Sequence, residues 1–409
     1  MKKRLCLLES FLFLLAVSVA GWIEYYRTCI PNKIQVIAGS QENFNFSIPA
    51  SASVAEENQH WNLQEPFTIT AWETGSYEME IRLFGVLPLK TVQVEAIHEE
   101  YVIPCGCPVG IYLETQGIMV IDTGTVVDAE GISRSPAENI LQSGDYIQAV
   151  NGTFITQKEE LIQEIQNTKE DTVMLTVRRN NQAFEVQIQP VIAPDGTYKA
   201  GIWVRDDMQG IGTLTYIQGE QFGALGHGVN DVDTGELVEI GEGELRKATV
   251  LGIMKGTSGA PGSVTGSVDY SESGYLGSIE GNSECGISGT MKTSGIWEEG
   301  IEEKSLPIGL KQEVVTGPAY IQSNISGEMK EYEIEIREVH LGNAHTTKGM
   351  EIQVTDPELL ELTGGIIQGM SGSPIIQDGK VIGAVTHVFV NDPTRGYGIF
   401  IENMLEVEE

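Results

Sequence analysis

The chain has 409 residues, 47 of them glycine, and its 58 acidic side chains against 25 Lys and Arg give a formal net charge of −33. That length allows two or three domains with cores of their own. The charge argues against a nucleic-acid partner, because a phosphate backbone would be repelled, and disfavours wide contact with anionic lipid. Frequent Val, Ile and Thr, abundant glycine and few long helical patterns predict a mostly β protein.

Met1-Lys2-Lys3-Arg4 followed by an apolar run from Phe11 to Ile23 predicts an export signal or a single membrane anchor over residues 1–30. Ser18 and Ala20 are spaced like a cleavage site, Glu9 interrupts the run, and the basic start places everything after Ile23 outside the cytoplasm. The five cysteines, Cys6, Cys29, Cys105, Cys107 and Cys285, suggest no disulfide framework. Cys105-Gly106-Cys107 lacks the histidines that a metal site would add, so neither a metal nor an organic cofactor is expected. Residues 31–97 read as a small β module without chemistry, with His60 and His98 on its surface.

Ser135-Pro136-Ala137, Leu141 to Ile147 with its Gly144-Asp145, and Val150-Asn151-Gly152 follow one another with a spacing by which residues 101–192 resemble a PDZ domain of the bacterial type. Thr156 and Glu159 have capping-box spacing, and Leu161, Ile162 and Ile165 recur at helical spacing behind them. Val109, Gly110, Ile111 and Tyr112 fit the loop whose amides receive a peptide's terminal carboxylate, which implies a peptide ligand bound by strand addition.

Residues 194–409 return to short strands. His227 stands between glycines in GALGHG, a turn from which an imidazole can reach outward. Gly256-Thr257-Ser258-Gly259-Ala260-Pro261 has the form G-x-S-G-x-P, but a Gly- and Ser-rich stretch without a clean hairpin follows it. Gly369-Met370-Ser371-Gly372-Ser373-Pro374 has the same form, and a hydrophobic strand, Asp378-Gly379 and a second strand come next. Trypsin-like serine peptidases present their nucleophile this way. Ser371 is the candidate nucleophile, and the amides of Gly369 and Ser371 are the candidate oxyanion hole. His227 is the candidate base, ahead of His340, His345 and His387, although His387 follows the hairpin and could sit close. The orienting carboxylate is sought among Asp231, Asp233, Asp356, Asp378 and Asp392; Asp356 is preferred because the chain order His, Asp, Ser matches trypsin-like barrels. The fold expected is thus a signal or anchor helix, a small β module, an α+β PDZ domain and a double β-barrel peptidase.

GALGHGVNDVDTG around His227 and the long block from Thr363 to Leu405 resemble the stage IV sporulation protein B family, the SpoIVB peptidases of endospore-forming bacteria. The resemblance implies an exported, PDZ-containing serine endopeptidase with Ser371, His227 and Asp356 as its triad. It further implies self-cleavage in the N-terminal part and cleavage of a membrane-bound regulator in the intermembrane space, which starts intramembrane processing of a late sigma-factor precursor. A PDZ scaffold whose peptidase fold no longer cuts is the alternative from a different class.

Overall fold

A computed structural model describes residues 2–54, 59–71, 73–168, 172–292, 304–342 and 346–406. Helix α1 (Lys2–Cys29) leads into a sheet of Lys33–Ile37, Ala50–Val54, Gln59–Asn62, Gly75–Leu83 and Leu87–Ile97. Alternate residues of Gly75–Leu83 fill its core, with Met79, Ile81 and Leu83 inside and Glu78, Glu80 and Arg82 outside, the period of two that a one-sided sheet needs. Among the described residues no helix is long and apolar enough to cross a membrane.

The next strands are β1 (Tyr101–Pro104) and β2 (Pro108–Thr123). After them come β3 (Tyr146–Val150), α2 (Lys158–Gln166), β4 (Val173–Arg179) and β5 (Gln182–Ile188). Then follow β6 (Ile202–Gln218), β7 (Gln221–Ala224), β8 (Ile240–Met254), β9 (Ser263–Val268), β10 (Tyr275–Ser283) and β11 (Gly286–Met291). The order β2-β8-β10-β11-β7-β6 closes on itself, because β6 also pairs with β2. Val109, Ile111, Leu113, Leu214, Phe222 and Leu245 fill this first barrel.

Strands β2 and β6 are longer than the barrel needs. Their far halves, Ile118–Thr123 and Ile202–Arg205, leave it and join β3, α2, β4 and β5 in a separate core with Ile147, Leu161 and Leu175. The α+β module is therefore an insertion between two barrel strands. Residues 105–113 pack in the core of the barrel, and the module's own core runs from Ile118 to Val204. Helix α2 also starts one residue later than its sequence signature, since Glu160, not Glu159, accepts from the amides of Thr156 (2.8 Å) and Gln157 (3.2 Å).

The second barrel is β12 (Gly317–Ser323), β13 (Lys330–Val339), β14 (Met350–Val354), β15 (Pro374–Gln377), β16 (Lys380–Phe389) and β17 (Asp392–Phe400), closed in the order β12-β13-β14-β17-β16-β15. Helix α3 (Pro357–Thr363) lies between β14 and β15, and α4 (Ile401–Leu405) follows β17. Tyr216 of the first barrel joins Val381, Ala384 and Ile399 of the second in a core shared between them. The hairpin tip between β8 and β9 reaches across to the second barrel: Gly256 N–H donates to Thr363 O (2.9 Å) and Gly259 N–H to Val390 O (2.8 Å).

Candidate active site

Ser371 follows Gly369 and Met370 at the entrance to β15. Gly372 has φ +95°, and a Cβ there would collide with Thr213 O and the backbone of Leu225. Only glycine fits, because the two barrels touch at this point. The loop's carbonyls are engaged. Gln368 O accepts from Val264 N–H (2.9 Å) and Met370 O from Ser373 N–H (3.0 Å). A trans peptide points its N–H away from its C=O, so these contacts direct the amides of Gly369 and Ser371 to the opposite side. Neither amide has a hydrogen-bond partner among the described residues. Two oriented, unclaimed donors flanking a serine are the parts of an oxyanion hole.

His227 is delivered by a strained turn. Leu225 has φ +70° and Gly226 N–H donates back to Ala224 O (2.9 Å), a γ-turn of the rare positive-φ kind. Leu225 N–H is held by Thr213 O (3.2 Å), and Gly226 sits so close to Thr386 that a Cβ there would lie 3.1 Å from its methyl group. The His227 turn thus rests on the strand that touches the nucleophile, since the Ser371 hydroxyl donates to Thr386 O (2.9 Å). His227 Nδ1 lies 2.9 Å from Gly228 O. A carbonyl only accepts, so Nδ1 carries the proton in the neutral ring and Nε2 is left with its lone pair. No hydrogen bond joins Ser371 to His227 in this state; rotation of the serine hydroxyl off Thr386 O is what the contact requires.

Asp356, the candidate acid, has other hydrogen-bond partners. It is the N-cap of α3: one carboxylate oxygen accepts from Leu359 N–H (3.0 Å), the other from Glu333 N–H (3.3 Å), and no hydrogen bond joins it to His227. Asp followed by Pro at a strand end is a helix-start signal, and the cap occupies the carboxylate. Asp231 is buried and shapes its own loop, accepting from Asp233 N–H and Thr234 N–H (2.9 Å each) and pairing with Arg205. Despite burial, these contacts hold its carboxyl below the usual range. Asp233 pairs with Arg205 (2.8 Å), Asp378 lies in its turn at φ +50°, and Asp392 accepts from Thr394.

What faces His227 is His387, at 5.4 Å between ring centroids. His387 is exposed on one side, and partial burial of the ring on the other pushes its pKa down to about 4; His227 and Lys348 add to the effect. His387 is therefore neutral at neutral pH, and does not repel a protonating His227. The sequence signalled Asn282 not at all, yet it clasps the base of the His227 loop. Its Oδ1 accepts from Val229 N–H (2.8 Å), and its amide donates to Val229 O and Val238 O (2.9 Å each). His340 lies beside Glu338, 3.7 Å away, and His345 falls outside the described residues. Ser258 sits at the β8–β9 tip, where its hydroxyl donates to Asn391 O (2.9 Å).

The expected carboxylate loop is also displaced. Val109, Gly110, Ile111 and Tyr112 lie inside β2, paired with Gly212 to Gln209 on one side and Lys247 to Glu244 on the other. A doubly paired barrel strand has no amides to offer. An open cleft of about 400 Å³ lies instead between α2, with Leu161, Ile162 and Ile165, and the start of β6, with Ile202, Trp203 and Val204. Trp203 is 70 % exposed there. On its other edge, this part of β6 pairs with Val120–Thr123.

No metal-binding group of three or more His, Cys, Asp or Glu occurs among the described residues. No disulfide joins Cys29, Cys105, Cys107 or Cys285 among the described residues.

Two solved structures are similar to part of the chain. The PDZ domain of the SdrC-like protein from Listeria monocytogenes is 26% identical, covering 22% of this chain and 87% of that one with a TM-score of 0.18. The corresponding domain from Listeria innocua is 28% identical, covering 22% and 93% with a TM-score of 0.18. No curated protein matches the chain. The family model of the SpoIVB peptidase S55 matches residues 196–405, slightly more than half the chain, including His227, Asp356 and Ser371. The chain belongs to the SpoIVB peptidase S55 family and is a serine peptidase.

Proposed function

We propose that Ser371 is the nucleophile, His227 its general base, and the amides of Gly369 and Ser371 the oxyanion hole of a serine endopeptidase. The observation that carries the reading is the direct seating of the His227 turn on the nucleophile loop, through Thr213, Gly372 and Leu225. Attack by the Ser371 oxygen on a peptide carbonyl passes its proton to His227 Nε2, and the same imidazole then protonates the leaving amine. Gly228 O, bonded to Nδ1, holds the tautomer in the resting state.

The family resemblance extends the proposal to setting and substrates. The enzyme is exported across the forespore membrane, cleaves its own N-terminal part, and cuts a membrane-bound regulator that controls processing of a late sigma-factor precursor. The inserted module acts as a PDZ domain. An extended peptide pairs with the free edge of Ile202–Val204 while α2 covers its side chains, and the segment Ala200–Gly201 that leads into β6 takes over the carboxylate role expected of Val109–Tyr112.

Self-cleavage of the purified full chain, followed by gel and mass spectrometry, tests the reading. Cleavage is expected in the wild type and abolished in Ser371→Ala. If Ser371→Ala cleaved at the wild-type rate, the assignment would be wrong, and if the wild type never cut while its peptide binding persisted, the scaffold alternative would replace it.

A further inference from the structure

Thr213 is the point where the two halves of the candidate site are joined. It lies in β6, 3 % exposed, and makes three contacts. Its N–H donates to Ser371 O (3.1 Å), its hydroxyl donates to Gly369 O (2.7 Å), and its carbonyl accepts from Leu225 N–H (3.2 Å). Two contacts therefore grip the nucleophile loop, and the third grips the turn before His227.

We propose that Thr213 is a positioning residue for the peptidase reaction, its hydroxyl fixing the peptide plane that separates the two oxyanion-hole amides. This rests on the reading of Ser371 and Gly369 given above. Gln368 O is held by Val264 and Met370 O by Ser373, which orient the planes carrying the Gly369 and Ser371 amides. The plane between them, Gly369–Met370, has its carbonyl held by the Thr213 hydroxyl. Gly369 has φ +105° and lacks a side chain, so once the hydroxyl is gone that plane is held at one end only, where Met370 N–H donates to Ile367 O (3.1 Å), and it is freer to tilt. Rotation changes the spacing of the two donors. It weakens hydrogen bonds to the oxygen that becomes negative in the transition state, and leaves substrate binding at distant subsites alone. The hydroxyl is thus expected to act on kcat rather than KM.

The same strand supplies a control. Thr215 is fully buried and its hydroxyl has no hydrogen-bond partner in this structure, so Thr215→Val changes the same kind of group without touching the loop. The experiment uses the full chain with p-nitrophenyl acetate as substrate and a fluorophosphonate as active-site label mapped by mass spectrometry. Thr213→Val is expected to lower kcat about 10- to 100-fold with KM within about threefold, a fraction of the effect of deleting a hole donor outright. Thr213→Ser, which keeps the hydroxyl, should recover most of the rate, and Thr215→Val should match the wild type. Wild-type kcat in Thr213→Val with the label on Ser371 would overturn the positioning role alone, as would an equal loss in Thr215→Val or no recovery in Thr213→Ser. A wild-type label on Ser258 would overturn both this role and the site it serves.

Discussion

Replacing Asp356 by asparagine and by alanine separates a helix cap from a catalytic acid. The carboxylate accepts one hydrogen bond at the first turn of α3 and one from Glu333 N–H in β13. Asparagine caps about as well as aspartate, whereas alanine loses about 1 kcal/mol of capping. Losing the Glu333 contact adds roughly 0.5–1 kcal/mol. The alanine variant should therefore be destabilised by about 1–2 kcal/mol and unfold a few degrees lower, while the asparagine variant stays within about 1 °C of the wild type. Both should keep kcat within about threefold, because no hydrogen bond links this carboxylate to His227. An acid that orients the imidazole behaves differently: its amide variant folds normally and loses roughly 10⁴-fold in kcat. The assay pairs calorimetry with ester hydrolysis at neutral pH. An asparagine variant with unchanged melting but kcat down by about 10³-fold or more would refute the capping account and return Asp356 to the triad.

Asn282→Ala should remove three hydrogen bonds from the base of the His227 loop, costing roughly 2–3 kcal/mol and lowering kcat at least about tenfold; denaturant titration and ester hydrolysis measure both. Burial pushes the Glu402 carboxyl up to about 7, against the opposing contact of Lys311 N–H. Between its unfolded value near 4.5 and about 7 the native state holds the extra proton, so this group makes stability fall as pH rises through that window, by about 3 kcal/mol at most. Glu402→Gln should flatten that part of the urea-midpoint profile. His387 has the opposite sign: its pKa is depressed to about 4, so between about 4 and 6.5 the unfolded chain binds more protons and stability rises with pH. His387→Asn should remove that rise, read from the same midpoints.

The parts of the fold that follow from local chemistry were readable in the sequence. Gly369 to Val385 folds as the turn and hairpin its glycines and apolar alternation require, and the Gly-flanked His227 sits on a turn beside it. The module boundary was not readable, because β2 and β6 each belong to two cores along one unbroken strand, and no composition shift marks where the chain passes from one to the other. Val109 to Tyr112 misled for the same reason: a small, apolar stretch suits either an amide-rich loop or a crowded barrel strand. At Asp356 the neighbouring Pro357 is a cap signal, and the N-cap of α3 is the part of its role that local sequence carries. The Gly-rich stretch after Ser258 looked unpatterned, yet it forms β9, whose Val264 orients the Gly369 amide through a contact about 100 residues away in sequence. Asn282 and Thr213 act through backbone partners far along the chain, and such contacts leave no trace in spacing.

One activated serine carries the peptidase chemistry. Labelling the full chain with a fluorophosphonate at neutral pH and mapping the adduct by mass spectrometry tests it most directly. The predicted result is an adduct on Ser371 in the wild type that nearly disappears in His227→Ala. An adduct on Ser258, or labelling of Ser371 that proceeds equally fast without His227, would contradict it.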